Sequence, residues 1–150
     1  MRKINTLRFG ELEIEEQDVV RFADGIPAFE DEHEFVVLPY EEGTPYMFLQ
    51  SMMTPELAFL MTDPFVFFPD YSFELDDENM EKLAINSMDD VLVCTLISVP
   101  RSGVADMTTN LLAPVVINRH TMQARQIVLE KTQYTTKHRL FPKEKEAVEC

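Results

Sequence analysis

Apolar positions along the chain recur mostly at every second residue or in short unbroken runs, the rhythm of strands rather than helices. "NTLRFGELEIE" alternates, with Leu7 and Phe9 on one parity and Leu12 and Ile14 on the other. The phase slips at Gly10, which predicts a bulge or a tight bend between two half-buried strands. "VVRF", "FVVLP", "MFLQSM", "LAFLMT", "VLVCTLISV", "APVVIN" and "RQIVL" are apolar runs of strand length. Prolines and glycines, among them Pro39, Gly43, Pro55, Pro69, Pro100, Gly103 and Pro114, punctuate them. Strands so spaced predict a mainly β chain, either a closed or nearly closed antiparallel barrel or a sandwich.

One helical pattern interrupts the strands. In "DDENMEKLAI" (76–85), Asp76 or Asp77 can cap the first turn, and Met80, Leu83 and Ala84 form an apolar stripe. A second, shorter helical turn is expected near "SGVADM". No repeat, linker or low-complexity tract breaks the chain, so residues 1–150 are expected to form a single domain. The charge-alternating tail from about 142 is expected to be flexible.

Composition sharpens this picture through charge. The formal net charge is −14. Between Phe22 and Pro100 there are 17 acidic residues and one base, Lys82, a balance of −16; residues 101–150 hold eight bases against five acids, or +3. Such a chain is a poor ligand for phosphate backbones, so no direct nucleic-acid binding is expected, and basic partners are favoured. Cys94 lies in an apolar strand where its thiol pKa should rise, and Cys150 ends the chain, so no disulfide framework is expected. The start of the chain lacks a signal-peptide core, and no apolar run reaches the ~18 residues of a membrane span. A cytoplasmic monomer is the expectation.

Catalytic and metal-binding patterns are wanting. His33, His120 and His138 stand in no zinc-ligand spacing, and His33 would point away from Glu32 and Glu34 on a strand. "DDEN" lacks calcium-loop spacing. There is no G-x-S-x-G, G-x-G-x-x-G or Walker pattern. No metal, cofactor or catalytic residue is therefore expected.

What remains suits binding. "DGIPAFEDEHEF" (24–35) places Glu30, Asp31, Glu32 and Glu34 after a Gly-Ile-Pro-Ala-Phe turn, a candidate charged wall. Phe29, Asp106 and Met107 are loop-placed apolar and acidic candidates for docking. Asp70 and Tyr71, after Pro69, are placed to reach the surface. Asn110 closes the "VADMTTN" loop, a candidate contact, and with Asn118 it is suited to turn hydrogen bonds at the ends of "NLLAPVVIN". Phe65, Phe67 and Phe68 suit the core.

In order and at their spacings, "FADGIPAFE" (22–30), "LQS" (49–51), "ELAF" (56–59), "DPFVFFPDYSFEL" (63–75), "TNLLAPVVIN" (109–118), "RQIVL" (125–129), Tyr134 and "KH" (137–138) resemble the flagellar assembly factor FliW family. The resemblance covers nearly the whole chain. One departure is Ala28, where the family often has Gly, from which a turn needing no left-handed residue is expected. The resemblance implies a compact antiparallel β-barrel-like protein without enzymatic activity. It further implies a partner switch: binding of flagellin and, alternatively, of the RNA-binding repressor CsrA, whose block on flagellin mRNA is thereby relieved.

Two other classes make distinct predictions. A small barrel enzyme using a carboxylate pair needs a deep pocket holding acids of raised pKa. A nucleic-acid mimic needs regularly spaced surface acids. The partner switch needs an exposed apolar patch rimmed by acids.

Overall fold

The alternating N-terminal segment folds as a hairpin of β1 (Arg2–Thr6) and β2 (Gly10–Ile14) in a computed structural model that describes residues 1–141. The tail from 142, expected to be flexible, and Cys150 lie outside the described residues. Thr6 pairs with Gly10 across a three-residue loop, and Gly10 takes the left-handed φ of 72° that such a bulged loop requires. The Thr6 hydroxyl accepts from the Phe9 N–H and donates to the Gly10 carbonyl, both at 2.8 Å. Leu7 therefore sits exposed at the hairpin tip rather than inside a strand, and the inward residues are Ile4, Leu12 and Ile14.

The barrel follows as β3 (Val19–Phe22), β4 (Glu34–Pro39), β5 (Tyr46–Ser51), β6 (Ala58–Thr62), β7 (Val91–Ser98), β9 (Val115–Asn118) and β10 (Gln123–Gln126). Two-residue strands β8 (Thr108–Thr109) and β11 (His138–Arg139) extend the sheet beside the end of β7. Each barrel neighbour is antiparallel except β3 and β10, which run parallel and close the ring of seven. Alternation sends Val20, Phe22, Phe35, Leu49, Met61, Cys94, Val115 and Ile117 into the interior. Burial pushes the Cys94 thiol up to about 12, so it is an inert packing group.

Two layers cover the outside. The β1–β2 hairpin packs Ile4 and Ile14 on Val19, Val36 and Met52. Opposite, the crossover from β6 to β7 packs Tyr71, Leu83 and Ile85 on Val91, Val93 and Val116. That crossover carries α1 (Pro64–Phe67) and α2 (Asp77–Lys82). Asp63 caps α1 by accepting from the Phe65 N–H at 2.9 Å, with Pro64 at the first helical position, a signal legible in "DP". Phe65 is exposed, contrary to the core role expected of it, and Phe67 and Phe68 are half-buried, because a single helical turn cannot bury all its faces. Asp76 caps α2 as expected, through the Asn79 N–H at 2.9 Å. The helix stops three residues short of the predicted 85: Ala84 turns left-handed (φ 54°), and the Ile85 N–H returns to the Met80 carbonyl at 2.8 Å. The turn expected near "SGVADM" is a 3-10 turn at Val104–Asp106.

A candidate acidic docking face

The loop after β3 is built around one tight turn. Ile26 and Phe29 face each other, and the Phe29 N–H donates to the Ile26 carbonyl at 2.6 Å. Pro27 and Ala28 occupy the corners, with Ala28 at φ 74°. This is a type II turn, whose third residue must be left-handed. The expectation that Ala28 needs no such conformation is thus corrected. Ala28→Gly should relieve that cost and raise stability by up to about 1 kcal/mol, read as a rise in the urea midpoint at unchanged slope.

The turn sorts the four adjacent acids into two pairs. Glu30 is exposed and accepts from the Ala28 N–H at 3.1 Å, and Asp31 is exposed beside it. Glu32 turns inward, accepting from the Ser51 hydroxyl at 2.5 Å and the Thr54 hydroxyl at 2.6 Å. Glu34, on β4, pairs with Arg2 at 2.8 Å and Arg21 at 3.7 Å. The four-acid wall is corrected accordingly, because two of its members are spent on the fold. Hydrogen bonds from Arg2 hold the Glu34 carboxyl below the usual carboxylate range, against partial burial, and the charges of Arg2 and Arg21 add to this. A depressed carboxylate contributes its stability above its unfolded pKa and loses it as the pH falls through the folded value. Glu34→Gln should therefore cost about 0.5–1 kcal/mol at pH 7. Urea melts of parent and variant should converge as the pH falls through the depressed folded-state pKa of Glu34.

Arg125 on β10 joins this loop to α2. Its guanidinium reaches Asp24 at 3.3 Å and the Asn79 side-chain oxygen at 2.5 Å. One strut thus sets Asp24 and the Glu30–Asp31 turn beside a helix carrying Asp76, Asp77, Glu78 and Glu81, all exposed. The only basic residue of that helix, Lys82, pairs with Glu78 at 3.0 Å. These exposed acids are brought together from two distant segments.

The remaining candidates divide. Phe29 is 40% exposed and packs edge-on against Phe59, ring centroids 5.4 Å apart. Asp70 is exposed. Tyr71 is buried at 4% exposure and donates its hydroxyl to the Leu111 carbonyl at 2.8 Å, so its expected surface role is corrected. Its ring packs on Tyr134 at 4.8 Å, which draws it under the crossover. Burial raises its phenol well above the ordinary range. Met107 is likewise buried at 4%, because the Leu140 N–H closes over its carbonyl at 3.1 Å, and it is not a free loop side chain. Asp106 binds Arg139 at 2.8 Å. Asn110 accepts from the Leu112 and Ala113 N–H groups at 3.1 and 3.0 Å, the turn role expected of it.

Sequence reasoning missed an apolar groove of about 550 Å³ on the outer face of β5, β6 and the end of β7. Tyr40, Tyr46, Phe48, Leu60, Ile97, Val99 and Val104 line it, and Met107 lies within it. Its one charged lining residue is Arg8 from the hairpin tip, 4.5 Å above the Phe48 ring. Among the described residues no carboxylate lines it. The alternating aromatics of "YMF" carried its signal, but its walls come from segments far apart in sequence.

Residues 3–140 match the family described as FliW protein. A flagellar assembly factor FliW of Heliobacterium modesticaldum is 50% identical over 140 residues, covering 93% of this chain and 91% of that one. The flagellar assembly factor FliW of Bacillus subtilis is 42% identical over 135 residues, covering 90% and 94%. A crystal structure of the flagellar assembly factor FliW superposes with a TM-score of 0.87 at 44% identity, covering 95% of this chain and 99% of the other.

Proposed function

The chain belongs to the FliW family of flagellar assembly factors, and from that membership we propose that it is a non-enzymatic cytoplasmic regulator that binds flagellin and, alternatively, CsrA. Binding CsrA would lift its repression of flagellin mRNA, and flagellin would compete for the free regulator. The observation that carries this is the acidic face assembled by Arg125 from the 24–31 loop and α2. An RNA-binding repressor must display basic residues to hold phosphates, and such a surface is attracted to a fixed field of carboxylates. The same field repels RNA within about a Debye length, roughly 8 Å at physiological salt, so RNA can be excluded without its own site being filled.

The test is titration calorimetry of purified CsrA into this protein at several salt concentrations. A complex is expected, weakening as salt rises. Changing Glu30, Asp31, Asp77 and Glu81 together to their amides should weaken it about tenfold or more at low salt and flatten the salt dependence. Equal binding by parent and variant, with the same salt slope, would remove the face from the mechanism.

A further inference from the structure

Past its last ladder residue, Gln126, strand β10 keeps its course. The Ile127 and Leu129 N–H groups donate to the Pro114 and Leu112 carbonyls at 2.9 and 2.8 Å, continuing the register that pairs Gln126 with Val115. In an antiparallel ladder the N–H and C=O of one residue face the same neighbour, and successive residues alternate. Val128 therefore turns its N–H and C=O to the opposite side, where neither has a hydrogen-bond partner among the described residues. Burial alternates as in a strand, with Ile127 and Leu129 buried and Val128 and Glu130 exposed. Lys131 turns left-handed, at φ 57°, and ends the run.

That free edge is one wall of a cleft of about 570 Å³, and residues 73–76 of the β6–β7 crossover are the other. The second wall alternates in the same way, Phe73 and Leu75 half-buried on the outer core and Glu74 exposed between them. Among the described residues the backbone of 73–75 makes no hydrogen bond either. Two segments with strand alternation thus line one opening without pairing across it, and an unpaired edge is a template for an added strand. The rim carries Glu74, Asp76 and Glu130 against one cation, Lys131. Asp76 is spent on capping α2. Glu74 and Glu130, one on each wall, have no ion-pair partner among the described residues.

We propose that this cleft takes an extended basic arm of a partner protein as an added strand. Its backbone pairs with Val128 and with 73–75, and apolar residues at every second position fall on the floor made by Phe73, Leu75, Ile127 and Leu129. Lysines or arginines at the intervening positions meet Glu74 and Glu130. Charge selects this occupant: opposite charges across neighbouring strands stabilise the pairing, and an acidic strand would set like charges side by side in a chain of net charge −14. The cleft is continuous with the acidic face, because Asn79 lines it and also accepts the hydrogen bond from Arg125 that ties α2 to the 24–31 loop. The inference goes beyond the partner switch and does not require the basic protein to be CsrA.

The probe is a labelled peptide of about eight residues alternating lysine and valine, titrated into the full chain beside a peptide of the same composition with all its lysines before its valines. The alternating peptide is expected to bind about tenfold or more tightly than the block peptide and to slow hydrogen exchange at Val128 and at 73–75. Val128→Pro removes the N–H at the free edge, and Glu74→Lys with Glu130→Lys reverses the rim charge; each should weaken binding about tenfold or more. Glu11→Lys with Glu13→Lys, at exposed positions of the β1–β2 hairpin, changes net charge equally and should alter binding by less than about twofold. The charge variants and the exchange pattern decide the matter if the proline variant fails to fold. No binding, equal binding of the two peptides, unchanged exchange at Val128, or cleft variants that bind like the parent or no worse than the hairpin variant would each overturn the proposal. The CsrA titration above tests the partner switch separately.

Discussion

Gly25→Ala is expected to destabilise the protein by about 3 kcal/mol, a drop of roughly 10 °C in Tm for a chain of this size, and to abolish the acidic face as a docking surface. Gly25 has φ 73°, which alone disfavours a side chain. A Cβ there would lie 2.5 Å from the Glu30 carbonyl oxygen and 2.7 Å from the Glu30 carbonyl carbon and Cα. All three are backbone atoms, so no rotamer change relieves the overlap. The chain must open the turn that presents Glu30 and Asp31, releasing the Phe29–Ile26 hydrogen bond. Thermal melting gives the first part of the effect. Binding to CsrA gives the second, which should exceed what the loss of stability alone explains.

Asn118→Ala should cost about 2–4 kcal/mol. The Asn118 amide is buried at the end of β9 and donates to the Leu83 and Ala84 carbonyls at 2.7 and 3.2 Å. Its oxygen accepts from the His120 and Thr121 N–H groups at 2.8 and 3.2 Å. Truncation leaves the carbonyls just past the end of α2 without these donors and loosens the turn into β10. The loss should appear as a lower urea midpoint and as faster hydrogen exchange in 77–85, while β4 and β5 keep their protection. Because α2 carries half of the acidic face, a moderate fall in CsrA affinity should accompany it.

Much of this architecture is legible in the sequence where a local pattern decides the outcome. The alternating runs become strands because one side faces the barrel interior, as at Phe35, Leu49 and Met61. Asp76 and the two asparagines of "NLLAPVVIN" do what their side-chain chemistry dictates. Closure of the ring by the parallel pair of β3 and β10 is not legible, because residues about a hundred positions apart meet there and carry no mutual mark. The site is partly legible for the same reason. Four neighbouring acids form one feature in sequence, but Glu32 and Glu34 are claimed by Ser51, Thr54 and Arg2 from other segments. Tyr71 looks like a loop residue after a proline until Leu111 and Tyr134 enclose it. Arg125, which joins the two acidic segments, lies in a strand whose periodicity says nothing about its guanidinium.

The central proposal is that this molecule works by presenting a fixed field of carboxylates to other proteins. The most direct measurement is the anisotropy of a labelled flagellin mRNA fragment held by CsrA, with this protein titrated in and flagellin added afterwards. Release of the RNA on the first addition and its recapture on the second are the predicted result; RNA that stays bound to CsrA at saturating levels of this protein would contradict the account.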